Sequence, residues 1–171
     1  MEIHLRALRA EDAPLMLEWM QDPSIARFFR FDAASTTEEK CRAYIGSANA
    51  DPSCRHCAVA DEADVYLGTI SLKNIRDGRA EYAVSMRKCA HGTGAAMLAT
   101  REILRIAFEE LKLDTVYLNV LEENHRANAF YRKAGFRFVR REEKALTLRG
   151  EQKTLNWYEI SRKEYLKEQD E

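Results

Sequence analysis

The sequence predicts an α+β fold in which helices flank a mixed, mostly antiparallel sheet. Three observations carry that expectation. Residues 56–86 contain three strand-like runs separated by turn residues, which is the pattern of an antiparallel meander. A long amphipathic helix follows, and then the alternating run Thr115 to Leu121. Strand, crossover helix and strand imply a parallel pair, right-handed by the usual rule. Two last strands, from Phe136 and from Lys153, face each other across Arg149-Gly150.

Residues 3–7 read as a short strand. A helix over 11–20 carries Leu15, Trp19 and Met20 at helical spacing and ends at Asp22-Pro23. Thr37, with Glu39 and Lys40, opens a second helix bearing Cys41, Tyr44 and Ile45, to about Ser47. Turn chemistry fills Asn49 to Ser53. The meander takes His56 to Ala60, Val65 to Lys73 and, after Asp77-Gly78, Arg79 to Met86. Gly92-Thr93-Gly94 precedes a helix running to Leu111. Its inner face holds Met97, Leu104, Ala107, Phe108 and Leu111, while Arg101, Arg105 and Glu109 lie outside. A short helix spans Arg126 to Ala134, with Gly135 placed for a left-handed cap.

Apolar residues form 46% of the 171, enough for one buried core and a single domain spanning 1–171. The 27 basic and 28 acidic side chains nearly cancel, so neither nucleic acid nor an anionic membrane is an expected partner. Met1 to Arg6 lacks the apolar core of an export signal, and a cytoplasmic protein with reduced cysteines is expected. Cys54-Arg55-His56-Cys57 raises the question of zinc. A structural site takes about four ligands, usually two such pairs, so no metal is expected and the segment reads as small residues entering a strand.

Two segments carry chemistry. From Tyr82 to Gly94 a strand runs out, a small-residue loop turns and a helix begins. Free amides and a partial positive charge at such a helix start suit a pyrophosphate. Met97 stands where a dinucleotide fingerprint has its third glycine, and a P-loop lysine is lacking. Glycines that merely start a helix compactly remain the alternative. One strand later comes Asn124-His125-Arg126-Ala127-Asn128-Ala129-Phe130-Tyr131-Arg132-Lys133-Ala134-Gly135-Phe136. Asn124 can cap the helix, and Ala127, Phe130, Tyr131 and Ala134 share one face. Taken singly, Tyr131 reads as readily as a core tyrosine.

Together, in this order, the segments resemble the GNAT acetyltransferases. The loop matches the family pattern at Gly92 and Gly94 and departs from it at Cys89, where Gln or Arg is usual. The later motif matches at Asn124, Ala127, Tyr131, Lys133, Gly135 and Phe136, and the element order fits nearly the whole chain. The branch it resembles contains ribosomal-protein N-terminal acetyltransferases and relatives acting on polyamines and amino sugars.

The resemblance implies a seven-stranded sheet with a splayed parallel central pair, and acetyl-CoA in the opening between the strands ending at Met86 and Leu121. Pantetheine would pair with the backbone near Val84 and Met86, and the pyrophosphate would rest on the amides of Cys89, Ala90, His91, Gly92, Thr93 and Gly94. Asn119, Asn124 and Ala127 complete the implied cofactor contacts. Asn119 reads equally as a satisfied strand residue.

The implied chemistry needs a proton acceptor, because a lysine-type amine (pKa ~10.4) costs about 4.6 kcal/mol to deprotonate at pH 7. Glu81 fits that role. It shares a strand face with Ala83 and Ser85, opposite Tyr82, Val84 and Met86. On spacing alone it reads equally as an exposed carboxylate paired with an arginine. The Val84 amide would hold the developing oxyanion, and Tyr131 would protonate the leaving thiolate.

For the acceptor, Trp19, Phe29, Arg30 and Phe31 form an aromatic and basic surface suited to a nucleotide-linked amino sugar. Asp22, Glu38 and Glu39 suit a polyamine or peptide amine instead, and the phenylalanines could simply pack beneath a lid. Trp157 and Tyr158 line the same cleft or cover the sheet. The alternatives within the resemblance are acetylation of a protein N-terminus and a non-catalytic acyl-CoA sensor. A homodimer is compatible with it.

Overall fold

The computed structural model describes residues 1–170 and contains one seven-stranded sheet, in the spatial order β1-β2-β3-β4-β5-β7-β6. In chain order the elements are β1 (His4–Ala7), α1 (Ala13–Met20), α2 (Pro23–Ala26), α3 (Glu38–Ala48), β2 (Arg55–Ala60), β3 (Tyr66–Arg76), β4 (Arg79–Met86), α4 (Ala95–Arg105), β5 (Thr115–Leu121), α5 (His125–Lys133), β6 (Arg137–Leu148), β7 (Glu151–Ser161) and α6 (Arg162–Gln169). Every neighbouring pair is antiparallel except β4 and β5. This is the predicted mixed sheet. No helix among the described residues is long and apolar enough to cross a membrane.

Strand alternation gives the sheet two apolar faces, and a separate core grows on each. On one face, Ala80, Tyr82 and Met86 of β4 meet Ala95, Ala99, Ile103 and Leu104 of α4, with Val116, Leu118 and Val120 of β5. On the other, Met16 and Trp19 of α1 and Cys41 and Ile45 of α3 close over Ala58 and Tyr66. The polar atoms taken inside find partners: Tyr82 bonds to Thr100 at 2.7 Å, and Trp19 donates to Tyr66 at 2.8 Å. These bonds spare the desolvation cost of unpaired buried groups, about 1–3 kcal/mol each.

The first helix ends at Met20, as the sequence reading expects, and some other details differ from it. Asp22 also starts a short further helix: its side chain accepts from the Ser24 amide and caps α2. After Arg105 the helix continues to Glu110 as a π-helical turn, marked by the Leu111 amide donating to the Ile106 carbonyl at 2.9 Å. The helix α6 was not foreseen, although Ser161 and Glu164 form a capping box that the sequence spells out. Its Tyr165 packs on Phe108 with ring centroids 5.1 Å apart. Gly135 takes φ 103°, as the cap requires.

At Gly68 the strands β3 and β4 approach so closely that no side chain fits. A Cβ there would lie 2.5 Å from the Ser85 carbonyl oxygen and 2.9 Å from the Met86 Cα. Backbone cannot yield cheaply, and overpacking of this kind costs about 1–3 kcal/mol. Gly68→Val is expected to lower the unfolding free energy by at least that much, because β4 must shift where it enters the glycine loop. Urea unfolding checks this; an unchanged value would refute the account.

Candidate active site

The parallel pair opens from its middle. The ladder between β4 and β5 joins only Arg79–Thr115, Ala80–Val116 and Glu81–Tyr117. Beyond it, Tyr82 to Met86 diverges from Leu118 to Leu121, and a cleft of about 1080 Å³ fills the gap. Its walls include Val84, Ser85 and Met86 of β4, the loop from Ala90 to Gly94, and Asn124, Ala127, Phe130 and Tyr131 of α5.

At the mouth of the cleft the amides of Gly92, Gly94, Ala96 and Met97 have no acceptor among the described residues, while the Ala95 amide donates to Thr93 Oγ1 at 3.2 Å. Gly92 and Gly94 adopt φ of 77° and 88°, and a Cβ at either would meet nothing within 4 Å. The loop is therefore both unfilled and donor-rich, which fits a diphosphate at a helix start. His91 ties the loop to the end of β4 through a 3.2 Å contact between Nε2 and the Met86 carbonyl.

Tyr131 faces the cleft from α5. Its ring meets Tyr82 edge-on at 5.8 Å and Phe136 at 6.1 Å. Burial pushes its pKa up to about 12, so the phenol stays protonated at pH 7. The Asn124 side chain accepts from the Ala127 amide, the cap the sequence predicts.

A second cavity, of about 440 Å³, lies on the opposite face of β4 and shares Val84 and Ser85 with the first. Trp19, Phe31, Tyr44 and His56 supply its aromatic walls, and Lys40 and Lys73 its cations. Among the described residues no carboxylate lines it. A reacting group held by the first cavity can thus meet one held by the second only at Val84–Ser85.

The expected site residues divide between these spaces. Val84, Met86, Ala90, His91, Gly92, Thr93, Gly94, Asn124, Ala127 and Tyr131 line the cleft. Two expected cofactor contacts do not. Cys89 is exposed on the turn Lys88–Ala90, where Ala90 is the side chain turned inward. Asn119 points to the other face, because Leu118 and Val120 take the core side of β5; its Oδ1 accepts from Arg30 at 2.5 Å. Trp19 and Phe31 line the second cavity, whereas Phe29 lines the cleft, stacked on Phe31 at 5.0 Å. Arg30 reaches Asn119 instead of either lining.

Glu81 sits beside the second cavity without lining it. It pairs with Lys73 at 3.2 Å and accepts from Asn74 at 3.4 Å, so its partner is a lysine and not an arginine. Trp157 covers the sheet beside Tyr117, and Tyr158 is fully buried. Among the described residues no three His, Cys, Asp or Glu side chains group to hold a metal, and His56 turns to Ser71 and Tyr44. Sequence reasoning missed His56, Ser71, Lys40 and Lys73 as site residues. Only folding gathers them.

A family model described as an acetyltransferase (GNAT) domain matches residues 2–137. The chain belongs to the GNAT acetyltransferases. It is an acyltransferase that uses acetyl-CoA. Over 129 residues it is 26% identical to the acetyltransferase PseH of Campylobacter jejuni, covering 75% of this chain and 79% of that one. In fold it resembles the spermidine N-acetyltransferase of Vibrio cholerae solved with CoA and spermine, with TM-score 0.86, 21% identity, and 96% and 98% of the two chains covered. A GNAT acetyltransferase of Bacillus anthracis superposes with TM-score 0.84 at 18% identity, over 95% and 96% of the two chains.

Proposed function

We propose that this GNAT acetyltransferase, acting as one unit over residues 1–171 in the cytoplasm, acetylates the primary amine of a small molecule that also carries an anionic group. A nucleotide-linked amino sugar has that chemistry. One observation carries the choice: the second cavity presents Lys40 and Lys73 beside four aromatic rings and no carboxylate. Lysine ammonium groups attract phosphate and repel a polyamine, and aromatic walls suit a sugar or base. Spermidine, the acceptor named for the Vibrio cholerae enzyme, carries several positive charges and would meet the Lys40 ammonium here, with the charge of Lys73 countered by Glu81.

In this reading the cleft holds acetyl-CoA along β4, with its diphosphate on the Gly92–Met97 amides. The acetyl group reaches Val84, whose amide is offered to the thioester oxygen, while Tyr131 donates to the departing sulfur. The acceptor amine approaches from the second cavity.

Thiol release from acetyl-CoA with a panel of amines tests the assignment. Nucleotide-linked amino sugars are expected to exceed spermidine at least tenfold in kcat/KM. Lys40→Ala should raise KM for the anionic acceptor about tenfold, one charge-assisted contact of roughly 1.4 kcal/mol, and leave KM for acetyl-CoA unchanged. A preference for spermidine, or for peptide N-termini, would reject the reading.

A further inference from the structure

The second cavity holds an imidazole for which the reaction outlined above has no task. His56 of β2 lies opposite Ser71 of β3, and Ser71 opposite Ala83 of β4. These three form one row across the floor of the cavity, ending next to Val84. His56 Nδ1 is 2.6 Å from Ser71 Oγ and 3.2 Å from the Tyr44 hydroxyl. Its Nε2 has no protein partner among the described residues. Glu81 lies one row further along the sheet, opposite Lys73 and paired with it.

We propose that His56, acting through the Ser71 hydroxyl, takes the proton from the acceptor's ammonium group, and that Glu81 serves to hold Lys73. The inference rests on the acetyltransferase reading with an amine acceptor. The ammonium passes a proton to Ser71 Oγ as the serine's own proton moves to His56 Nδ1. The freed nitrogen lone pair forms the C–N bond, the C–S bond breaks, and the second N–H proton ends on sulfur. His56 then returns its proton to solvent, so one proton is released per acetyl group transferred.

The surroundings suit an imidazole that is neutral at rest. Tyr44 of α3 contacts it, Lys73 of β3 and Asp51 of the turn before β2 act on its charge, and Lys40 of α3 lines the same cavity; Cys54 lies near Tyr44, and Glu81 of β4 is paired with Lys73. Burial first, and then the Lys73 charge, hold the His56 pKa below its ordinary value, with Asp51 opposing. The ring is therefore free to accept at pH 7. Activity should fall only as pH drops through that lowered value and the ring becomes charged.

The test compares His56→Gln, Ser71→Ala and Glu81→Gln with the wild type in thiol release across pH, using the best amine from the panel. His56→Gln is expected to lose about 100-fold in kcat at pH 7, within the usual range for acid–base catalysis, with KM for acetyl-CoA unchanged. The deficit should shrink toward pH 10, where a lysine-type amine (pKa ~10.4) begins to deprotonate itself. The wild type's acid limb should be missing from the variant. Ser71→Ala, which cuts the relay between the ammonium and His56, should show the same pH signature with a comparable loss, and it serves if His56→Gln fails to fold by thermal melt. Glu81→Gln should lose less than either. A folded His56→Gln or Ser71→Ala within threefold of wild type, or a larger loss in Glu81→Gln, overturns the assignment while the acetyltransferase reading stands. A wild type that releases no thiol with any amine defeats that reading, and this proposal with it.

Discussion

Asn128→Ala is expected to lower the unfolding free energy by about 2–4 kcal/mol, because one side chain joins three elements. Asn128 is buried. Its amide nitrogen donates to the carbonyls of Leu121, at 3.1 Å, and Asn124, at 2.8 Å. Its oxygen accepts from Asn156 at 2.9 Å and from the Tyr158 hydroxyl at 2.8 Å. The end of β5, the start of α5 and the middle of β7 therefore meet on a single amide. Truncation leaves two buried donors, Asn156 Nδ2 and the Tyr158 hydroxyl, without partners, each worth about 1–3 kcal/mol if water cannot enter, while the Leu121 and Asn124 carbonyls keep the backbone amides of Asn124 and Asn128. A lower urea midpoint at unchanged slope is the expected signature. Asn128→Asp, which sets a buried carboxylate oxygen against the Leu121 and Asn124 carbonyls, should lose at least as much as alanine at pH 7. A loss under 1 kcal/mol for the alanine variant would mean that water replaces the network.

Tyr131→Phe is expected to cut kcat about 100-fold at pH 7 and to change CoA affinity less than twofold. Ring packing against Tyr82 and Phe136 does not use the hydroxyl, so stability should hold. Burial raises this phenol to about 12, and full transfer of its proton to a thiolate of pKa ~8.5 runs uphill by about 5 kcal/mol. An ordinary phenol would face only about 2 kcal/mol. The same dry surroundings raise the pKa of the departing sulfur, which narrows the gap, and a short hydrogen bond suffices as the C–S bond stretches. The sign follows. The donor is present below about 12 and is lost only above it, so wild-type activity should show no alkaline limb from Tyr131 in the assayable range. Turnover unchanged in the phenylalanine variant removes Tyr131 from the chemistry.

Much of the cleft was legible in the sequence. The Asn124–Phe136 motif and the glycine loop are local in chain order, so their spacing carries the helix cap, the free amides and the inward face of α5. Alternation in β4 correctly separated Glu81, Ala83 and Ser85 from Tyr82, Val84 and Met86. It could have done the same for Asn119, since Leu118 and Val120 declare the core face of β5; the cofactor role assigned to Asn119 ignored that signal. The capping box at Ser161 was also readable. His56 was visible only as a neighbour of two cysteines, and that local context raised a question of metal where the fold supplies a hydroxyl.

Sequence by itself determined the element order, the helix starts and which side chains of each strand share a face, because these depend on residues within a few positions of one another. Tertiary structure decided where the sheet splits and what lines the second cavity. The β4–β5 ladder stops at Glu81 and Tyr117, and α1 and α3 fold over β2, β3 and β4 to bring Lys40, His56 and Lys73 around one space. Those contacts join residues far apart in the chain, and no local periodicity encodes the distance between them.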